Sequence, residues 1–309
     1  MLDFLIKNIK NIYLNKIYYG SDILNFKMRQ LFAVARHEFL NQFNSFSYWM
    51  MFVIPLIVVT ALFKYVNLKF NFNNSNFINM VWGFSIPVLT FFFCLIYIGI
   101  IANSVARDKT SKLSEMLMSI VDAKEQINGK MLGIYLLLCF QIAFYTIFIL
   151  ILSKVMNNNF LFLFIGRVKI GLIVYSILAL FVSLFMFLAI TVQFSCFITD
   201  TSQISSATMP PMIFLLEFFS LSLLYNSVGF DGDNMIWIFY IICMWPPVGS
   251  TLTPSLIASG NISYLFAYST LIIQIMIMYI LYVKSIHVFK YGLLSNKKKN
   301  IFIEGFKFR

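Results

Sequence analysis

Charge is what this chain has least of, 11% of residues against roughly a quarter in an ordinary soluble domain, while 60% are hydrophobic. Acids are the scarcer kind, with 12 Asp and Glu against 23 Lys and Arg. Such a balance excludes a soluble globular domain and implies an integral membrane protein. Histidine is almost missing too. His37 and His287 are far apart and neither stands in an HExxH or other hydrolytic pattern, which gives a metal or general-base centre nothing to build on. The four cysteines, Cys94, Cys139, Cys196 and Cys243, all fall in apolar segments without CxxC spacing, so they read as small buried side chains. No phosphate-binding loop GxxxxGK[ST] is present, because the one Gly-Lys pair, Gly129-Lys130, has Lys124 where the first glycine should stand. ATP hydrolysis is therefore not expected on this chain, and neither a cofactor nor a metal is. Residues 1 to 30 lack an unbroken apolar core with a small-residue cleavage site and are expected to remain in the mature protein.

What is present is a series of long apolar runs. A helix needs about 20 apolar residues to cross roughly 30 Å of hydrocarbon. Six segments meet or approach that length, at about 48–66, 80–103, 131–153, 170–198, 208–225 and 264–289. The fifth is the shortest; it opens on Pro210 and Pro211 and carries Glu217. Residues 235 to 260, "MIWIFYIICMWPPVGSTLTPSLIASG", behave differently. Their apolar run stops at Trp245, too short to cross, and Pro246, Pro247, Gly249 and Pro254 argue against a regular helix beyond it. A re-entrant segment that dips in and returns is expected there.

The net charge of +11 is informative through its placement rather than as a sign of nucleic acid. Six spans put both chain ends on one side. Seventeen Lys and Arg then lie inside and five lie outside, Lys64, Lys69, Lys154, Arg167 and Lys169, with Lys284 near the inner boundary. Cytoplasmic excess of basic residues supports this arrangement. The predicted fold is thus all-α and membrane-integral. Residues 1–47 are cytoplasmic or interfacial amphipathic helices, 48–289 the six-span domain, and 290–309 a basic cytoplasmic tail. Apolar positions Leu2, Leu5, Ile6, Ile9, Ile12, Tyr13 and Ile17, and again Met28, Leu31, Phe32, Ala35, Phe39 and Phe43, recur at helical spacing. With Lys7, Lys10 and Lys16 among them, these helices suit the anionic inner surface of a bilayer. Trp49, Trp82 and Trp245 are candidate interfacial anchors.

The stretch "RDKTSKLSEMLMS", residues 107 to 119, lies between two of the most apolar runs. As a helix it places Leu113, Met116, Leu117 and Ile120 on one face and Asp108, Lys112, Glu115 and Ser119 elsewhere. A surface helix on the membrane and a docking helix for a partner both satisfy that pattern. In its wider context, "NSVARDKTSKLSEMLMSIVDAKEQINGKMLG" resembles the cytoplasmic loop of the type-2 ABC exporter permease family, in particular its sodium-efflux-like branch. The matching features are Asp108-Lys109, then Glu115 and Leu117, then Ser119 and Gly129-Lys130. "ARHEFLNQFNSFSYWMMFVIP" is similar to that family's interfacial helix before the first span, with Arg36, Glu38 and Pro55. "WPPVGSTLTPSLIASG" and "IHVFKYGLLSNKKK" resemble its outer segment and its C-terminal exit. The large folded domain that members of that branch often carry after the first span is replaced here by residues 64 to 79.

The resemblance implies a coupling helix that docks on a separate cytoplasmic ABC ATPase subunit, which would hold ATP and Mg. Residues Arg107, Asp108, Lys109, Lys112, Glu115, Met116, Leu117 and Ser119 would make that contact. It also implies a second permease chain, identical or related, in the cytoplasmic membrane; a composition heavy in Asn, Lys, Ile and Phe is compatible with a low-GC bacterium. Glu217 stands in an apolar run where an ionised carboxylate costs at least about 2.5 to 3.5 kcal/mol. Either it marks a translocation path or gate, or it is protonated and bonded to Gln141, Gln193 or Gln274 of a neighbouring span. Two other classes stay open. A membrane-embedded enzyme would need converging catalytic groups, and a stand-alone secondary transporter, immunity or sensor protein would need no docking helix.

Overall fold

The computed structural model describes residues 26–69, 75–110, 120–155, 166, 168–228, 240–246 and 248–294, and among these the chain is helical without a strand. Helix α1 covers 26–43, α2 Phe46–Lys69, α3 Ser75–Thr110, α4 Ala123–Val155, α5 Ile170–Ser195, α6 Ile204–Val228, α7 Val248–Ser259 and α8 Tyr264–Leu294. A short 3-10 turn, Thr201–Gln203, leads into α6. Among the described residues five helices are long and apolar enough to cross a membrane: α3, α4, α5, α6 with its preceding turn, and α8. In lipid every backbone N–H and C=O must be satisfied within the segment, which is why apolar runs of this length fold as helices. The first predicted span falls within α2, whose clearly apolar described part is Phe46–Ile57. The amphipathic pattern over residues 2–17 and residues 295–309 of the predicted basic tail lie outside the described residues, while 290–294 continue α8.

The helices overrun the apolar windows that mark them. Helix α3 has 36 residues, about 54 Å of helix, against roughly 30 Å of hydrocarbon. Its last turn and the first turns of α4 fall outside the most apolar stretches and carry Arg107, Lys109, Lys124 and Lys130. Contacts set the directions of the bundle. At one end the Asn79 side-chain oxygen accepts from the Lys169 backbone N–H, pairing the starts of α3 and α5. At the other, Lys109 meets the ends of α5 and α8, and the Tyr282 hydroxyl bonds Asn128 of α4 at 2.6 Å. Helices α3, α5 and α8 are therefore parallel, and α4 runs against them. The end where Lys109 lies also holds Lys27, Arg29, Arg36, Arg107, Lys124, Lys130 and Lys290, and is called the basic end below.

The stretch after α6 corrects one expectation. Pro254 does not prevent a helix; Val248–Ser259 is helical with that proline inside it, and Val248 to Ile257 are buried. A 12-residue helix enclosed by α3, α5, α6 and α8 is held by packing rather than by its full set of backbone bonds. It ends in a Schellman turn: Gly260 has φ 83°, its N–H reaches the Ile257 carbonyl, and the Asn261 N–H reaches that of Leu256. The two ends of the segment meet, since the Tyr240 hydroxyl donates to the Asn261 carbonyl at 3.0 Å and the Tyr240 ring lies 4.8 Å from Phe266. Its tip, from Cys243 to Gly249, abuts Gln274, whose amide donates to the Cys243 carbonyl at 3.1 Å. Residues 240 to 261 are thus a hairpin that returns to the end it left. Pro210 and Pro211 are also inside a helix rather than opening it, because α6 starts at Ile204, below the apolar run.

The first helix is tied to the bundle through glycine. A Cβ on Gly129 would lie 2.6 Å from Val34 Cβ, and one on Gly133 would lie 2.8 Å from the Ala35 carbonyl oxygen. The GxxxG spacing puts both on one face of α4 and lets α1 approach to backbone contact. Ala35, Glu38 and Gln42 are buried there, while Phe26, Met28, Phe32 and Leu40 are exposed. Of the cysteines, Cys94, Cys196 and Cys243 are buried as expected, but Cys139 is exposed, on an outward face of α4.

Candidate functional site

The sequence-predicted contact helix is cut by the description of the chain. Residues 111–119, and with them Lys112, Glu115, Met116, Leu117 and Ser119, lie outside the described residues. What is described is the pair of legs on which that segment stands, the end of α3 and the start of α4.

The leg on α3 carries three charged residues with three different partners. Arg107 is exposed and donates to the Asn41 side chain of α1 at 3.3 Å. Asp108 pairs with Lys130 of α4 at 2.8 Å. Lys109 turns inward, and its ammonium donates to the carbonyls of Cys196 at 2.5 Å and Gly292 at 2.8 Å. Cys196 is the C-cap of α5, and Gly292 lies in the last turn of α8. Helix ends leave carbonyls without intrahelical partners and concentrate negative partial charge there, so a cation in this position satisfies both groups and both dipoles. One side chain thus binds the end of α3 to the ends of two other helices.

Beneath Asp108 lies a buried polar cluster. Lys130 and Glu38 have side chains only 6% and 3% exposed and stand 3.4 Å apart. Ser104 donates to Glu38 Oε2 at 2.7 Å, Gln42 donates to Oε1 at 2.8 Å, and Lys130 also reaches the Ser104 hydroxyl. Burial alone would raise the Glu38 carboxyl, but the Lys130 ammonium and these hydrogen bonds outweigh it and hold the group below the usual carboxylate range. Two acids share one ammonium, and the cluster joins α1, α3 and α4.

The leg on α4 is held by α1 as well. Lys27 pairs with Asp122 at 3.2 Å and lies 4.0 Å from Glu125, and the Gln30 amide donates to the Ile120 carbonyl at 2.9 Å. A cleft of about 330 Å³ lies between Lys27, Met28 and Leu31 on one side and Asp122, Lys124 and Glu125 on the other. Both legs of the 111–119 segment therefore rest on one helix. The two ends of that segment are thus joined to α1, α3 and α4 directly and to α5 and α8 through Lys109.

Glu217 is elsewhere, and the hydrogen bonds made by the glutamine side chains considered as its partners go to other groups. Gln141 bonds Tyr97 and Tyr145, Gln193 donates to the Leu281 carbonyl, and Gln274 to that of Cys243. The carboxylate is exposed on the outer face of α6 beside Ile213, Leu216, Ser220 and Leu224, and among the described residues no hydrogen bond or ion pair reaches it. Sequence reasoning missed Glu38 and Lys130 as a pair. The signal was available: Glu38 stands three residues after Ala35 and four before Gln42, on the stripe that α1 buries, and a charge on an apolar stripe needs a buried partner. No group of His, Cys, Asp and Glu that could hold a metal occurs among the described residues. No protein-family model matches this chain, and no curated protein or solved structure does.

Proposed function

We propose that this chain is the permease subunit of an ATP-binding cassette exporter, coupling hydrolysis on a separate ATPase subunit to movement of a substrate across the cytoplasmic membrane. The observation that carries this reading is the footing of residues 111–119. Both legs are clamped by α1, and Lys109 ties the same place to the ends of α5 and α8. A segment that only rested on a lipid surface would need no such linkage. In the proposed arrangement there are six spans with both ends cytoplasmic, α2 supplying the first, α1 lies at the inner surface, and residues 240–261 are re-entrant from the outer side. Residues 107–119 form the coupling helix, with Glu115, Met116 and Leu117 toward the ATPase. The exposed Glu217 faces a second permease chain, where a carboxylate on an apolar helix finds water or a partner at a gate.

The test is a detergent pull-down of the tagged chain with its native neighbours, comparing the unaltered protein with Glu115→Lys plus Leu117→Asp. An ATPase recovered with the former and lost from the latter supports the coupling helix. Failure to recover an ATPase with either sinks the exporter reading and favours a stand-alone secondary transporter, immunity or sensor protein.

A further inference from the structure

A cavity of about 570 Å³ opens between α5, α6, α8 and the tip of the 240–261 hairpin. Its wall is almost wholly apolar, with Met186, Phe194, Phe218, Ile277 and Trp245 among its lining side chains. The only charged side chain in that lining, among the described residues, is Lys284, half-buried at the end nearer the basic end of the bundle. Volume and lining both fall in the range of small-molecule sites, which are mostly apolar with a few polar groups that fix orientation.

Three features say what fits. Along α8 the cavity runs from Ile277 to Lys284, seven residues or about 10 Å, which suits an extended hydrocarbon chain. Lys284 stands eight residues before Gly292, about 12 Å along α8 from the end of the bundle that Lys109 closes, which puts a cation at the end of the cavity nearer the polar surface. The mouth is lateral, because Ile241 and Trp245 line the cavity and are 69% and 66% exposed on the apolar flank of the bundle. An occupant therefore enters from the bilayer, and part of it can stay there.

We propose that this cavity is a binding site for an anionic phospholipid, one acyl chain lying in the groove, the phosphate on Lys284, and the second chain remaining in the bilayer. Charge complementarity selects the headgroup, and the lateral mouth selects a bilayer lipid over a molecule from water. The site does not depend on the exporter reading, since it needs only a membrane around these helices.

Trp245 supplies the reporter. The full chain is reconstituted in phosphatidylcholine vesicles containing a small, fixed fraction of lipid brominated on its acyl chains, since bromine quenches tryptophan on contact. Brominated phosphatidylglycerol is expected to quench more than brominated phosphatidylcholine at the same fraction. That excess should vanish in Trp245→Phe and in Lys284→Gln, and return in Lys284→Arg, with helicity and gel-filtration profile matched throughout. Equal quenching by the two lipids, or an excess that survives Lys284→Gln, overturns the proposal. So does an excess absent from a folded Lys284→Arg protein, or one produced by a brominated fatty acid and not by phosphatidylglycerol.

Discussion

Lys130 has two acids on it, Asp108 at 2.8 Å and Glu38 at 3.4 Å, and both the lysine and Glu38 are shut away from solvent. Removing one partner from a buried pair leaves an uncompensated charge, a loss of roughly 3 to 5 kcal/mol. Because Asp108 remains, Glu38→Ala is expected to cost about 3 kcal/mol, the lower end, read as a fall in thermal midpoint of the detergent-purified protein. Its pH dependence follows from the sign of the shift. The carboxyl titrates below its ordinary value in the folded chain, so its contribution is complete above the unfolded value of about 4.3 and is lost as pH falls through the folded value. The midpoint should therefore drop below about pH 4.3, and Glu38→Gln should flatten that slope. Glu217 makes the contrasting case, an exposed carboxylate on an apolar helix without a partner among the described residues. Glu217→Gln should leave expression and oligomeric state intact and lower transport by vesicles containing the assembled complex; unchanged transport would remove the residue from the path.

Two helix contacts at backbone distance make predictions for whole elements. At the α1–α4 contact, Gly133→Ala sets a methyl against the Ala35 carbonyl and Glu38, and overpacking of this kind costs about 1 to 3 kcal/mol. Helix α1 should be pushed off, exposing the Glu38 cluster, and limited proteolysis between residues 26 and 43 should become faster than in the unaltered chain. At the hairpin tip, a Cβ on Gly249 would collide with the Cys243 carbonyl and the Gln274 amide, so Gly249→Ala should open the hairpin without disturbing α1. Sequence pattern predicted the hairpin because an eleven-residue apolar run followed by two prolines is too short to cross. It did not predict α7, because proline propensity speaks for isolated helices, whereas here burial among four neighbours holds the helix around Pro254. The GxxxG of α4 was legible in form but not in partner. Two glycines four apart mark a close approach without naming the helix that makes it, and that partner lies about ninety-five residues upstream.

At the scale of the whole molecule, the placement of charge and the contacts between helices bear independently on how the chain lies in a bilayer. Length and apolar character anticipated five helices long enough to cross a membrane because those are local properties, and basic residues predict an orientation because the bilayer sorts them. The linkage of Lys109 to α5 and α8 was not legible, since its partners are backbone carbonyls 87 and 183 residues away, which no side-chain pattern encodes. Contacts now require that the chain enter and leave the 240–261 hairpin at one end of the bundle, opposite Asp122 and Asp200. Charge is the basis for expecting the end that holds Asp122 and Asp200 to face the cytoplasm, because Lys27, Arg36, Arg107, Lys124 and Lys290 gather there, while Lys64, Lys69, Lys154 and Lys169 lie toward the other. Single cysteines at Asn226, Asn261, Asp122 and Asp200, in a chain whose four native cysteines are serine, test both together. A membrane-impermeant thiol reagent applied to intact cells should label Asn226→Cys and Asn261→Cys equally, and the other two only after permeabilisation. Labelling of 226 and 261 from opposite sides would mean that the hairpin crosses, and the two chain ends would then lie on opposite faces. Labelling of all four positions in the reverse sense would keep the hairpin and invert the bundle, placing the 111–119 segment out of reach of any cytoplasmic ATPase.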